Sequence, residues 1–264
     1  MTSVAEVVGR LPSGLPARLH GTWQRLTAPT EAAEPFDPAS VEHLPAPAQR
    51  WLRHAIAPGT PLHRKVVLRQ HGTILLGRTW RRFTACQALA PLEGFLWPVT
   101  THLFGLPIHG FDRYSDGTGE MAHRLLGLVP LVTSRGPDTS RSAAARHTSE
   151  VVWAPAAALA TQVRWRPVDD SSVAMLIPCG PWAFEPTLTV SPDGAPLRIT
   201  VPRWSNIERT GWHAEPFTAV VEHERSFGGY TVPDRVTAGW GYGTSRWDDG
   251  GAFIHLTIDE AVYL

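Results

Sequence analysis

From residue 66 onward, apolar and polar positions alternate in short runs: VVLRQHGTILL, WRRFTACQAL, GFLWPVTTHLFG and IHGFDRYSDGTGEMAHRLLGL. Each run is bounded by Gly, Pro or Asp-Gly. A period of two with turn residues between runs marks strands that bury one face and are joined by tight turns. The stretch 115–119, SDGTG, lies between two such runs and is the clearest hairpin signal in the chain. These runs predict a β-meander.

The alternation stops at 136–160, GPDTSRSAAARHTSEVVWAPAAALA. Ser140 or Ser142 is an N-cap candidate, the alanines favour helix, and Pro155 divides two helical pieces. Strand-like runs then resume, from TQVRWRPV through to AFIHLTIDEAVYL, with turns at 192–194 (PDG) and 248–251 (DDGG). Strands with one helical insertion predict a mainly β (α+β) fold. The expected architecture is a curled antiparallel sheet or half-barrel wrapped around a short helical insertion near 138–160, with N-terminal helices.

Residues 1–45 carry prolines at 12, 16, 29, 35, 38 and 45, and read as a Pro-rich lead-in with a short amphipathic helix at 17–26. The segment 47–56, PAQRWLRHAI, places Pro in a first helical turn and Trp51, Leu52, Ala55 and Ile56 on one face, before the breaker Pro58-Gly59. No linker or internal repeat follows, so 46–264 is expected to form a single β-rich domain.

Composition narrows the partners. The 24 basic and 24 acidic residues cancel, which removes the long-range field that gathers phosphate backbones or anionic lipid, so no nucleic-acid partner is expected. Gly and Pro together are 47 residues, about 18% of the chain and below the roughly 25–30% of disordered sequences. Lys65 is the one lysine, leaving 23 arginines, a usage given no mechanistic weight. No apolar run approaches the length of a transmembrane segment, and the opening MTSVAEVVGRLPSGLPARLH lacks the form of a signal peptide. A cytoplasmic location is expected, and the oligomeric state is left open.

Catalytic signatures are absent: no GxxxxGK[ST], GxSxG, HExxH or EF-hand loop occurs, and no cofactor is implied. The 239–243 run, GWGYG, reads as a strand with small residues on one face. Cys86 and Cys179 stand apart without a CxxC pattern and read as ordinary half-buried thiols. His102, His109 and His123 fall on neighbouring strands, but no helix carries paired ligands, so no metal is expected.

One cluster is more specific. Arg146 and Glu150 stand at i,i+4 on the predicted internal helix, followed by Val151, Val152 and Trp153. Beneath a curled sheet, Glu150 must be paired or protonated. It is then either a structural partner of Arg146 or a general acid or base facing a cavity. Asp112 and Tyr114 share a strand face, and either orient a ligand oxygen or close a hairpin. Trp97, Trp153, Trp165, Trp204 and Trp240 fall in or beside predicted elements, where indoles fill cores and line apolar pockets alike.

Seven stretches resemble, in order and spacing, a bacterial family known only as a domain of unknown function. They are PAPAQRWLRHAI (45–56), GFLWPV (94–99), GFDRYSDGTGEM (110–121), RLLGLVPLV (124–132), RHTSEVVWAPAAAL (146–159), RWSN (203–206) and GGYTVPDRVTAGWGYG (228–243). The resemblance spans 45–264 and implies no established activity. The plan also resembles the lipoprotein-carrier (LolA/LolB-like) half-barrel, which implies a sheet curled over internal helices around an apolar cavity. Two departures stand out: the N-terminal membrane segment common in the family is not expected here, and its RWG-like stretch reads Arg203-Trp204-Ser205.

The expected function is that of a soluble binding protein that encloses a hydrophobic small molecule, lipid-like or polyketide-like. Trp97, Trp153, Trp204 and Trp240 form the wall, with His109, Asp112 and Arg146 as further ligand contacts. The alternative is a cofactor-independent cyclase, isomerase or dehydratase of the same shape. Glu150, His123 and Tyr114 would then perform the acid/base chemistry, assisted by Arg146 and His109. A third reading is a partner-binding module that uses exposed Trp212 and Trp247.

Overall fold

A computed structural model describes residues 10–29, 33–208 and 210–264; part of the opening stretch read for a leader lies outside them. Fourteen strands form in chain order: β1 (Val66–Leu76), β2 (Thr79–Ala90), β3 (Gly94–Leu103), β4 (Leu106–Ser115), β5 (Thr118–Leu125), β6 (Val129–Arg135), β7 (Arg164–Pro167), β8 (Ser172–Cys179), β9 (Trp182–Phe184), β10 (Thr187–Val190), β11 (Pro196–Ser205), β12 (His213–Phe227), β13 (Tyr230–Trp240) and β14 (Ala252–Tyr263). Among the described residues three α-helices accompany them: α1 (His20–Leu26), α2 (Ala46–Ala55) and α3 (Pro137–Ser149).

The strands join one antiparallel sheet in the order β6-β5-β4-β3-β2-β1-β14-β13-β12-β11-β10-β8-β7, with β9 hung on β8. Nearly every neighbour follows in sequence because tight turns connect the runs. The exceptions are β8, which pairs with β10 past the short β9, and β1, which pairs with the last strand and joins the two meanders. The path does not close, so the sheet is a curled half-barrel with β6 and β7 at its edges.

Alternation along the strands sorts side chains onto two faces. The inner face and the helices it wraps form the main core, with Trp51, Leu52, Phe95, Val151, Met175, Tyr230 and Ile258 among its buried members. Helix α2 opens on Ala46-Pro47, buries Trp51 and Leu52, and ends at the extended Ile56. Helix α3 ends at Glu150, and two short 3-10 turns, Glu150–Trp153 and Pro155–Leu159, carry the chain through the interior on either side of Pro155.

The lead-in covers the outer face. Leu19, Trp23 and Leu26 of Ala17–Leu19 and α1 pack on Val67, Ala88, Leu96 and Phe111, the outward-facing residues of β1 to β4. Buried Glu120 on β5 fastens the lead-in there. It receives Arg18 Nη1 at 2.9 Å, Arg113 Nε at 3.1 Å and Arg135 Nε at 2.9 Å. Among the described residues no helix is long and apolar enough to cross a membrane.

Candidate functional site

Residues directly opposite in an antiparallel pair share a face, so Trp97, Asp112 and Met121 form one inward row across β3, β4 and β5. Gln70 and Gln87 face inward beside them on β1 and β2. Helix α3 brings Arg146 and its C-cap Glu150 to the same place. A continuous chain of hydrogen bonds results. Trp97 Nε1 donates to Gln70 Oε1 (2.8 Å), Gln70 Nε2 to Gln87 Oε1 (3.0 Å), and Gln87 Nε2 to Glu150 Oε2 (2.6 Å). Arg146 donates from Nε to Glu150 Oε1 (2.7 Å) and from Nη1 to Asp112 Oδ2 (2.9 Å). His123 Nε2 completes the chain, 3.1 Å from Asp112 Oδ1. Both oxygens of Glu150 and both of Asp112 are therefore engaged.

Gly110 makes the last contact possible. It lies opposite His123, and a Cβ there would stand 2.1 Å from His123 Nδ1, so only a glycine lets the imidazole lie over the β4 backbone.

Burial alone would raise Asp112, but the His123 hydrogen bond and the Arg146 guanidinium outweigh it and hold the carboxyl below its ordinary range. Arg146 is held charged: burial opposes the cation, and Glu150 and Asp112 more than compensate. Its guanidinium lies over the rings of Phe95 (4.6 Å) and Trp97 (5.0 Å). Arg203, on the opposite wall, is different. Its guanidinium lies over Phe217 (4.8 Å) and Trp240 (5.7 Å), and its Nε reaches Ser142 Oγ at 3.2 Å. Burial and the neighbouring Arg146 pull it down to about 10, against Asp112 and Glu150.

Around this cluster the inner face is apolar and graded in exposure. Leu89 and Phe95, towards the α3 end, are 0% and 1% exposed, whereas Val99, Ile108 and Leu256, towards the β1–β2 turn, keep 7%, 6% and 9%. Asp112 and Arg146, enclosed by sheet and helix, still retain 16% and 17% side-chain exposure.

The expected site residues divide accordingly. Trp97, Asp112, His123, Arg146, Glu150 and Trp240 face one interior. His109 does not: it is odd-numbered where Asp112 and Tyr114 are even, so alternation turns it outward, where it contacts Thr100 Oγ1 at 3.1 Å. Its expected place beside the cluster is corrected. Trp153 lies deeper, donating to Pro233 O at 3.0 Å. Trp204 packs against the start of α3, bonded to Asp138 Oδ1 at 2.8 Å under the Arg141 guanidinium. Trp165 packs at a tilt beside Trp51, with ring centroids 6.2 Å apart. Trp212 is exposed, while Trp247 is half-buried, its ring 5.2 Å from Tyr242.

Tyr114 faces inward but belongs to a separate cavity of about 270 Å³, lined also by His147 and Cys179, with Arg25 and Asp116 at its edge. His147 sits between the rings of Phe95 and Tyr114, at 5.9 and 5.8 Å. Burial, then Arg146, pushes it down to about 3, against a backbone contact from Pro91. Burial pushes the Cys179 thiol up to about 11. A neutral imidazole and a protonated thiol do not form the ion pair of a cysteine nucleophile. Two larger cavities, about 770 Å³ each, lie outside the cluster, and their linings reach inner-face residues, Phe83 and Leu256 in one and Val99 in the other. One is beside His71, Arg82 and His255, the other between the lead-in and β1 to β3. None of these three cavities is lined by Trp97, Trp153, Trp204 or Trp240. Among the described residues no group of three or more His, Cys, Asp or Glu converges as metal ligands would.

Gln70, Gln87 and Arg203 were not foreseen as members of the site. The signal for the glutamines was present, since each is a polar residue at a core-facing position, in line with Leu68 on β1 and with Leu89 on β2. Arg203 lies in the quoted RWSN stretch, but nothing local marks its depth.

A model of a family of unknown function, DUF6544, matches residues 34–249. No curated protein matches the chain. Among solved structures, the chain is similar to a LolA superfamily protein from Nitrosomonas europaea, at 10% identity over 83% of this chain and 92% of that one, with a TM-score of 0.46. It is also similar to a DUF1329 family protein from Desulfovibrio piger, at 10% identity over 86% and 94%, with a TM-score of 0.40.

Proposed function

The chain belongs to the DUF6544 family of unknown function, and from the geometry of its interior we propose that it binds a hydrophobic small molecule, lipid-like or polyketide-like, against the inner face of the half-barrel. The observation that carries this reading is a self-satisfied polar cluster embedded in an apolar face that gains exposure towards the β1–β2 turn. A ligand there has apolar walls from Val99, Ile108, Trp240 and Leu256, and one polar anchor point. Arg203 supplies that anchor, because its described hydrogen bond to Ser142 uses Nε and leaves the Nη donors for an oxygen of the ligand. The ligand is therefore apolar with one end that accepts hydrogen bonds. The expected cytoplasmic location belongs to this reading, and cell fractionation checks it.

The acid/base alternative is less well supported. Glu150 has no free oxygen, His109 faces outward, and Tyr114 lies in the other cavity. Proton transfer at Glu150 requires breaking its bonds to Arg146 or Gln87.

Native mass spectrometry and organic extraction of the purified chain test the proposal, together with titration by a fluorescent fatty acid. A co-purifying apolar molecule, or saturable binding of the probe, is expected. Absence of both overturns the reading. Arg203→Met is expected to weaken the probe about tenfold by removing one charge-assisted hydrogen bond, while a neutral hydrocarbon probe is unaffected.

A further inference from the structure

Strands β1 to β6 are consecutive neighbours in the sheet, so the β1–β2, β3–β4 and β5–β6 turns stand in a row at one end. With strands about 4.8 Å apart, that row is roughly 20 Å long. All three tips are apolar and exposed: Leu76 and Trp80 on the first, Phe104 and Leu106 on the second, Leu126 and Leu128 on the third. Phe104 is 91% exposed and Leu128 75%. The opposite ends of the same strands are polar, with Glu93 paired to Lys65 and Asp116 to Arg25, and no exposed large apolar side chain lies on those turns among the described residues.

The tip backbone adds a second, independent observation. Phe104 (φ 50°) and Leu126 (φ 54°) occupy the left-handed region, each followed by a positive-φ glycine, Gly105 and Gly127. Such hairpin positions favour Asn, Asp or Gly, because a Cβ is disfavoured there. A bulky apolar side chain at these sites strains the turn, and Phe104, at 91% exposure, gains almost no packing in return.

Charge supplies the third. Exposed Arg78, Arg82 and Arg124 flank the tips, and the segments 71–83, 101–108 and 121–135 contain no Asp or Glu. The acids nearest the row, Asp248 and Asp249, stand at its β14 end, where Gly250 approaches Leu75, and the second and third tips lie farther along the sheet from them. Projecting apolar tips with arginines behind them and no acid of their own complement an anionic lipid interface, where the rings and aliphatic chains enter the acyl boundary and the guanidinium groups meet headgroup phosphates. Zero net charge does not oppose this. Over a screening length of about 8–10 Å the local patch, not the molecular total, sets the field.

We infer that this end of the half-barrel docks on the surface of an anionic lipid bilayer, with Phe104 and Leu128 inserted and Arg78, Arg82 and Arg124 at the headgroups. The inference does not rest on an interior ligand.

Co-sedimentation of the full chain with phosphatidylcholine vesicles, with and without phosphatidylglycerol, tests it. Binding to the mixed vesicles is expected, at least about tenfold stronger than to phosphatidylcholine alone. The Phe104→Asn/Leu128→Ser variant is expected to lose about tenfold or more of that binding with an unchanged melting temperature, since Asn suits the left-handed turn. The Arg78→Gln/Arg82→Gln/Arg124→Gln variant is expected to abolish the preference for phosphatidylglycerol. No binding to mixed vesicles overturns the inference, as does binding that the tip variant leaves undiminished. A concentration-dependent dimer that Phe104→Asn dissociates, with no vesicle binding, assigns the tips to a second copy of the chain and also overturns it.

Discussion

At the scale of single residues, His147 carries the clearest pH signature. Its value is about 3 in the fold against 6.5 for the free group, so the folded state holds it neutral. Protons then bind the unfolded chain preferentially between those values. The contribution is fully present above pH 6.5 and is lost as pH falls towards 3, at up to about 1.4 kcal/mol per pH unit. Urea unfolding at pH 7 and pH 5 should show this slope in the native chain and a shallower one in His147→Gln. Equal slopes would mean that the imidazole takes a proton without unfolding. Gly110→Ala tests a different residue-scale constraint. A methyl group at 2.1 Å from His123 Nδ1 must displace the imidazole and its bond to Asp112, at a cost of about 1–3 kcal/mol in unfolding experiments.

At the scale of elements, the bond between the lead-in and the sheet runs through Glu120. Burial pushes this carboxyl up, but hydrogen bonds from Arg18, Arg135 and Arg113 outweigh it and hold the group at about 2, against 4.5 for the free side chain. The stabilisation is complete above pH 4.5 and disappears as pH falls towards 2. Because Arg18 and Arg135 are themselves about half exposed, screening limits its worth to about 2 kcal/mol. Glu120→Gln is therefore expected to release the lead-in first. Limited proteolysis near Arg18 should accelerate while the circular dichroism of the sheet is unchanged; uniform protection would place the attachment in the Trp23 contacts alone. This attachment was not legible in the sequence. The short helix at 17–26 and the helix at 47–56 could be read from apolar spacing and proline placement. Which face of the sheet each would cover could not, since Trp23 and Trp51 are equally apolar and only the parity of Leu96 against Trp97 separates outside from inside.

For the molecule as a whole, the strand runs, the SDGTG hairpin and the helical break at 136–160 were legible because period and turn chemistry are local. The candidate site was half legible for the same reason. Arg146 and Glu150 share a helix and Asp112 shares a face with Tyr114, but Gln70, Gln87 and Arg203 join them only once β1 has paired with β2 and the sheet has curled far enough to bring β11 to α3. That curl makes α3 the strut between the two meanders: it packs on β5 and β4 from one side and on β11 from the other, through Ser140 to Gly119 (2.9 Å) and Arg203 to Ser142 (3.2 Å). In an open sheet held at its centre by one β1–β14 pairing and across its mouth by α3, the first meander buries its inner face against a helix that β11 also covers, while α2 packs on the second meander, on β7, β8, β10 and β13. Unfolding should then be a single transition with coincident circular dichroism and tryptophan fluorescence. Ala145→Leu, which overpacks a fully buried position on the strut, should shift both curves together by about 1–3 kcal/mol. If the fluorescence curve moved and the circular dichroism curve stayed, the two meanders would be separate folding units and α3 only a passenger between them.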